Sequence, residues 1–248
     1  MISIGGEKAK PASPRLLVSV RTPIEAERAI RGGADIVDVK DPAQGALGMA
    51  SPAALAGVAR ILEASERYGS CALGELAEWE QRTDFDLPAS YVWCKLGLAG
   101  CGGRLDWRAL WNRVRTGVES RGTVRDWIAV VYADWQQAGA PAPDSLLEFA
   151  ATEGCAGILL DTWSKTGPGT LDLWSLDRLI QFRMDCHAGN LPFALAGRID
   201  EQQLEQVAII APDIVGFRSA ACRKFNREGE VDENLVSRIS KRLGSVPA

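Results

Sequence analysis

Eight short runs of apolar and β-branched residues recur along this chain, separated by helix-like segments. The runs are RLLVSV (15–20), DIVDVK (35–40), SCALGE (70–75), YVWCKLG (91–97), DWIAVVYAD (126–134), GILLDT (157–162), PFALAG (192–197) and DIVGFR (213–218). Each has the pattern of a strand buried on both faces, as in a parallel sheet. The intervening segments carry helix punctuation. TPIEAERAIRGGA opens with Thr22 as N-cap and Pro23 at the first helical position, and it closes on glycine. SPAALAGVARILEASERYG repeats that grammar with Ser51 and Pro52. Further helices are predicted over 104–117, 143–153, 171–188, 200–210 and 232–243, with a short helix or irregular crossover over 76–90. Strands alternating with helices leave a closed (β/α)8 barrel or an open doubly wound sheet. No GxGxxG or GxxxxGK[ST] motif follows the first strand, which weakens the dinucleotide-binding and P-loop versions of the open sheet. The length, 248 residues, suits a barrel. The expectation is an α/β fold, a single-domain TIM barrel over 15–243, with a flexible tail at 1–14 and a short one at 244–248.

Composition removes several function classes. The net charge is −4, with both signs mixed along the chain, so no basic stripe suits nucleic acid. No apolar run approaches the roughly 18 residues that span a membrane. MISIGGEKAKPASP lacks the apolar core of a signal peptide, which leads to the expectation of a cytoplasmic protein. The six cysteines (71, 94, 101, 155, 186 and 222) are scattered, with no CxxC pair, and read as free thiols. There is one histidine, His187. A zinc site with two or three histidines is therefore excluded within one chain, and a Ser-His-Asp triad would have to use His187. That residue lies in RMDCHAGN, where it reads as the last turn of a helix, favourably placed against the helix dipole. Trp107, Trp111 and Trp174 fall on helices and could mark the interface of a homo-oligomer, although packing against the barrel is the simpler reading.

The alternation of side chains along a strand places the chemistry. In IVDVK, Val37 and Val39 face the outer helices, while Ile36, Asp38 and Lys40 face the barrel axis. Asp38 and Lys40 share one face and are expected to touch. Lys40 falls at the C-terminal end of its strand, where such barrels carry their active sites. By the same parity Glu75, Lys95, Asp134 and Asp161 end strands three to six, and Lys165 follows in DTWSKTGPG. Lysine is scarce here: seven lysines (8, 10, 40, 95, 165, 224 and 241) stand against 21 arginines. Three of the seven nonetheless fall on this rim. Arginine stays protonated and cannot form an imine, whereas a lysine with a depressed pKa can be both nucleophile and proton carrier. The ends of strands seven and eight, ALAGRI and VGFRSAACR, offer small residues, a hydroxyl and two cations. Loops at these positions often bind phosphate through backbone N–H groups. Ser19, Gly197, Arg198, Arg218, Ser219 and Ala220 are the candidate phosphate-side residues. Gly45 and Gly48, after strand two, read equally well as binding or as packing. Together the residues describe a barrel that handles phosphosugars through an imine-forming lysine, with no metal and no cofactor.

The motifs LLVSV, GGADIVDVKDPAQGALG, KLGL, YAD, LLDT..SK, ALAGRI and DIVGFRSAAC resemble the (5-formylfuran-3-yl)methyl phosphate synthase family, also called 4-(hydroxymethyl)-2-furancarboxaldehyde-phosphate synthase. The resemblance runs from about residue 15 to 240, and its specific part is the DVK-x-P-x-x-G-x-L-G block. It implies a (β/α)8 barrel that condenses two molecules of glyceraldehyde 3-phosphate, with loss of phosphate and water, to the furan precursor of methanofuran, a cofactor of C1 metabolism. It implies that Lys40 forms the Schiff base and that Lys95 accepts the proton. Asp38, Asp161 and Lys165 match further polar positions of the site. Asp38 then orients Lys40, and Asp161 and Lys165 serve the second substrate, its leaving phosphate or the dehydrations. Four positions depart from the pattern: Val131 where a small residue is expected, Glu75 where an aspartate is expected, and Arg198 and Ser219 in the phosphate loops.

Two rival readings follow from the residues. Another class I aldolase or a phosphosugar isomerase would share Lys40 and the phosphate loops, but would not need Lys95 and Lys165 together. A non-catalytic barrel holding a phosphorylated metabolite would be expected to lack at least one rim lysine, and all three are present.

Overall fold

Eight parallel strands close into a barrel in the computed structural model, which describes residues 13–80, 85–120 and 125–245. They are β1 (Arg15–Val20), β2 (Ile36–Val39), β3 (Tyr68–Glu75), β4 (Tyr91–Gly97), β5 (Asp126–Tyr132), β6 (Gly157–Asp161), β7 (Phe193–Leu195) and β8 (Ile214–Phe217). Each pairs with its neighbour in chain order, and β1 returns to β8 with Leu16 opposite Val215 and Leu17 opposite Gly216. The expected tail at 1–14 and the end of the expected C-terminal tail fall largely outside the described residues.

The helices are α1 (Pro23–Arg31), α2 (Pro52–Glu63), α3 (Trp107–Glu119), α4 (Trp135–Ala138), α5 (Pro143–Thr152), α6 (Thr170–Leu173), α7 (Leu176–Ala188), α8 (Leu204–Ile210) and α9 (Glu233–Ser245). Their starts follow the capping signals. Thr22 accepts the Glu25 N–H and Ser51 the Ala54 N–H, each 3.2 Å away, with proline next in the chain. The segment expected as one helix over 171–188 is two. Trp174 is extended (φ −115°, ψ 134°) because its indole N–H reaches the Ala133 carbonyl at 3.0 Å, and Ser175 caps a fresh helix through the Arg178 N–H. The third crossover is, as expected, only a short 3-10 turn at Leu76–Trp79, with residues 81–84 outside the described set. Buried Arg125 holds the return from it, donating to the carbonyls of Leu87, Pro88, Ala89 and Tyr91.

Two apolar layers result. Val37, Val39, Cys71, Leu73, Cys94, Leu96, Val131, Leu160, Leu195 and Val215 point outward into the seam between sheet and helices. Ile36, Ala72, Trp93, Val130, Tyr132, Leu159, Ala194 and Ile214 fill the barrel. Val131, where a small residue was expected, thus lies in the packing seam and not in the barrel interior. Trp107, Trp111 and Trp174 are all buried, set tilted or edge-on against Phe149, Trp127 and Phe182, the packing reading of these residues. All six cysteines are buried free thiols. His187 lies in the last turn of α7 and shares a 2.7 Å hydrogen bond with Asp213. No helix among the described residues is long and apolar enough to cross a membrane.

Candidate active site

An open cavity of about 610 Å³ sits at the C-terminal ends of the strands. Its lining includes all five expected polar residues, Asp38, Lys40, Lys95, Asp161 and Lys165, together with Ser19, Gly197, Arg198, Arg218 and Ser219. Ala220 is absent from the lining; its side chain packs into the outer apolar layer instead.

The charges pair differently from the expectation. Asp38 hydrogen-bonds Lys95 through Oδ1 and accepts from Ser19 Oγ at 3.1 Å through Oδ2. It therefore orients Lys95, not Lys40. Lys40 Nζ stands 3.9 Å from Asp161 Oδ2, too far for a hydrogen bond. Asp161 Oδ1 accepts from Lys165 Nζ and from the Thr162 N–H, each at 2.7 Å. Lys165 also donates to the Thr162 carbonyl and reaches its hydroxyl at 3.3 Å, so three acceptors surround its ammonium.

Burial raises the cost of every charge here, and the neighbours decide which ones survive. For Asp38 and Asp161 burial opposes ionisation, but Lys95 and Lys40 at the first, and Lys165 and Lys40 at the second, outweigh it and hold both carboxyls below their usual range. For Lys40 burial dominates. Asp161 pulls the other way and Lys165 adds to the depression, which leaves the amine at about 8. Lys165 is also lowered, by burial first, against the support of Asp161. Among the described residues Lys40 is the lysine of the three whose Nζ makes no hydrogen bond. Its amine is the one not already held as a donor to a neighbouring oxygen.

Three other expected residues are committed elsewhere. Glu75 accepts from the Tyr132 hydroxyl at 2.6 Å and from the Ala99 N–H at 2.8 Å, and burial raises its pKa. Asp134 pins the loop after β6 through the N–H groups of Trp163 and Ser164. Arg218 is 8% exposed and its guanidinium is spent: it meets Glu25 at 2.6 Å and the carbonyls of Ser19, Arg227 and Gly229. It is thus a buried staple rather than an open cation. The close approach allowed by Gly197 (φ +97°) is filled by protein, since a Cβ there would lie 2.1 Å from Thr170 Oγ1. Arg198 is also left-handed (φ +59°), and it donates to the Lys165 carbonyl. The structure adds Arg227, from the segment after β8, to the cavity lining. Its only sequence signal is as one of two cations in KFNREGE.

A (β/α)8 barrel whose C-terminal mouth combines buried lysines with paired carboxylates has the build of an enzyme acting on small molecules. The family model for 4-HFC-P synthase matches residues 16–240, and the chain belongs to that family. A relative from Methanococcus maripaludis (strain C7), named (5-formylfuran-3-yl)methyl phosphate synthase, is 32% identical and covers 91% of this chain and 98% of its own. A relative of the same name from Methanocaldococcus jannaschii is 31% identical with the same coverage. Among solved structures, thiamine phosphate pyrophosphorylase from Pyrococcus furiosus superposes with a TM-score of 0.60 at 11% identity, covering 95% of this chain and 97% of its own. 3-Hexulose-6-phosphate synthase from Salmonella typhimurium gives 0.56 at 13%, covering 92% and 99%. Those two share the fold alone.

Proposed function

We propose that this enzyme condenses two molecules of glyceraldehyde 3-phosphate to (5-formylfuran-3-yl)methyl phosphate, for methanofuran-type cofactor synthesis, through a Schiff base on Lys40. The observation that carries this reading is the Lys40 amine. It is buried, its pKa is depressed to about 8, and it donates no hydrogen bond that would fix it as an ammonium, with Asp161 3.9 Å away. A neutral amine can add to a triose carbonyl and expel water to form an imine. The imine acidifies the adjacent carbon. Lys95, hydrogen-bonded to Asp38, is placed to move that proton. The resulting enamine attacks the second triose. Hydrolysis of the imine frees Lys40 and takes back the water its formation expelled, so the net loss of one phosphate and two waters balances two trioses against a furan aldehyde that keeps one phosphate. Lys165, with Asp161, supports the departing oxygens of the elimination steps. The family and the names of its relatives support the same product.

The test is borohydride trapping with glyceraldehyde 3-phosphate, with mass spectrometry of the modified peptide. Phosphate release and the ultraviolet absorbance of a conjugated furan aldehyde are followed in parallel. The expected result is an adduct on Lys40 together with both products. An adduct without phosphate release points to a plain aldolase. Active folded protein with no lysine adduct ends the imine mechanism.

A further inference from the structure

We infer that Arg227 is the side chain that closes on the phosphoryl group of the bound substrate, opposite Arg198, and that the Arg218–Glu25 pair positions it. This rests on the phosphotriose reading above and adds a binding residue to it.

The charge inventory of the cavity motivates the assignment. Six cations line it (Lys40, Lys95, Lys165, Arg198, Arg218 and Arg227) against two carboxylates, Asp38 and Asp161. Lys95 is neutralised by Asp38, and Arg218 by Glu25 from behind the wall. Asp161 serves Lys165 and Lys40 together. Arg198 and Arg227 remain. Among the described residues neither has a carboxylate within 4.0 Å, so the cavity mouth holds an excess of positive charge that a dianion would neutralise. The Arg227 guanidinium makes one hydrogen bond among the described residues, from Nη2 to the Gly45 carbonyl at 3.0 Å. Four of its five N–H donors are then left for a ligand, in the planar fork that suits phosphate. Burial first, then the nearby charges of Arg218 and Arg198, depress its pKa against the pull of Asp161 and Glu228.

The backbone beneath Arg227 is built to hold it. Arg218 Nε donates to the Arg227 carbonyl at 2.7 Å, and Arg218 Nη2 donates to the Gly229 carbonyl at 2.7 Å. Arg21 reaches the same Gly229 carbonyl at 3.2 Å, and Glu25 binds both guanidinium groups. The segment closes on itself through the Cys222–Val231 bridge. Lys224 and Phe225 within it are left-handed (φ +57° and +54°), a strained conformation that persists only where surrounding bonds impose it. Arg218 is therefore a positioning residue, and Arg227 is the one that faces the ligand.

The experiment compares wild type, Arg227→Ala and Arg227→Lys, first checked for equal thermal unfolding. Imine trapping on Lys40 is measured with glyceraldehyde 3-phosphate and with unphosphorylated glyceraldehyde. Binding of inorganic phosphate is measured separately by calorimetry. Arg227→Ala is expected to raise the KM for the phosphorylated triose by about 10- to 100-fold, the loss of charged hydrogen bonds, with glyceraldehyde trapping unchanged. Phosphate affinity should fall by a similar factor, and Arg227→Lys should lie between. An unchanged KM with unchanged phosphate affinity overturns the assignment, as does an equal loss with both trioses. If wild type forms no adduct at all, the Lys40 reading has failed, and the calorimetry still decides on Arg227.

Discussion

Lys40 differs from Lys95 and Lys165 by what its nitrogen does not touch. Both neighbours are hydrogen-bonded to a carboxylate, whereas Lys40 stands 3.9 Å from Asp161. Imine formation needs the unprotonated amine, so trapping on Lys40 should rise with pH and level off above about 8, the value burial sets. Asp161 supports the charged form, so Asp161→Asn is expected to move that midpoint downward; an upward move would mean another group controls the profile. The rim lysines were legible in the sequence because strand parity and strand ends are local properties of the chain. Their partners were not. Asp38 and Lys40 lie two apart on one strand, yet Asp38 meets Lys95 of β4. Side chains from alternate strands share a layer inside such a barrel, and this brings β2 to β4 and β6. Lys40 accordingly looks across the axis to Asp161 of β6.

At the scale of elements, the β7 end shows how a loop residue serves packing before chemistry. Thr170 at the start of α6 donates its N–H to the Gly197 carbonyl and its hydroxyl to the Ala196 carbonyl. Gly197→Ala would place a methyl 2.1 Å from Thr170 Oγ1 in a left-handed backbone. The expected cost is about 1–3 kcal/mol, read as a lower urea midpoint. The loop that carries Lys165 should be disturbed with it, since Thr162 N lies 2.9 Å from the same methyl. An unchanged midpoint would show that α6 gives way freely. Helix starts at Thr22, Ser51 and Ser175 obey local capping rules, and the first two were visible in the sequence. The break at Trp174 was not, because it depends on a carbonyl of Ala133, 41 residues earlier.

For the whole molecule, the closed barrel is filled unevenly. Beneath Lys95 lies a small, largely apolar space of about 30 Å³, lined by Ile36, Trp93, Ile128, Leu159, Ala194 and Ile214 among others. Ala194→Val adds carbon where there is room, so it should stabilise the fold by roughly 0.5–2 kcal/mol without changing the KM for the triose. Destabilisation in a urea titration would show that the space is already needed by its neighbours. The chain order alone determined the alternation of strands and helices, the barrel it implies, and the residues that reach its C-terminal mouth. These follow from the two-residue period of a strand and from caps written within a few positions of each helix. Only closure of the barrel decided which charges neutralise one another. Arg218 reads as a candidate phosphate-side cation in the sequence, but it meets Glu25, 193 residues away, while Arg227 is left facing the cavity. Electrostatic partnership depends on distance in space, and in a barrel that distance is set by the last strand returning to the first.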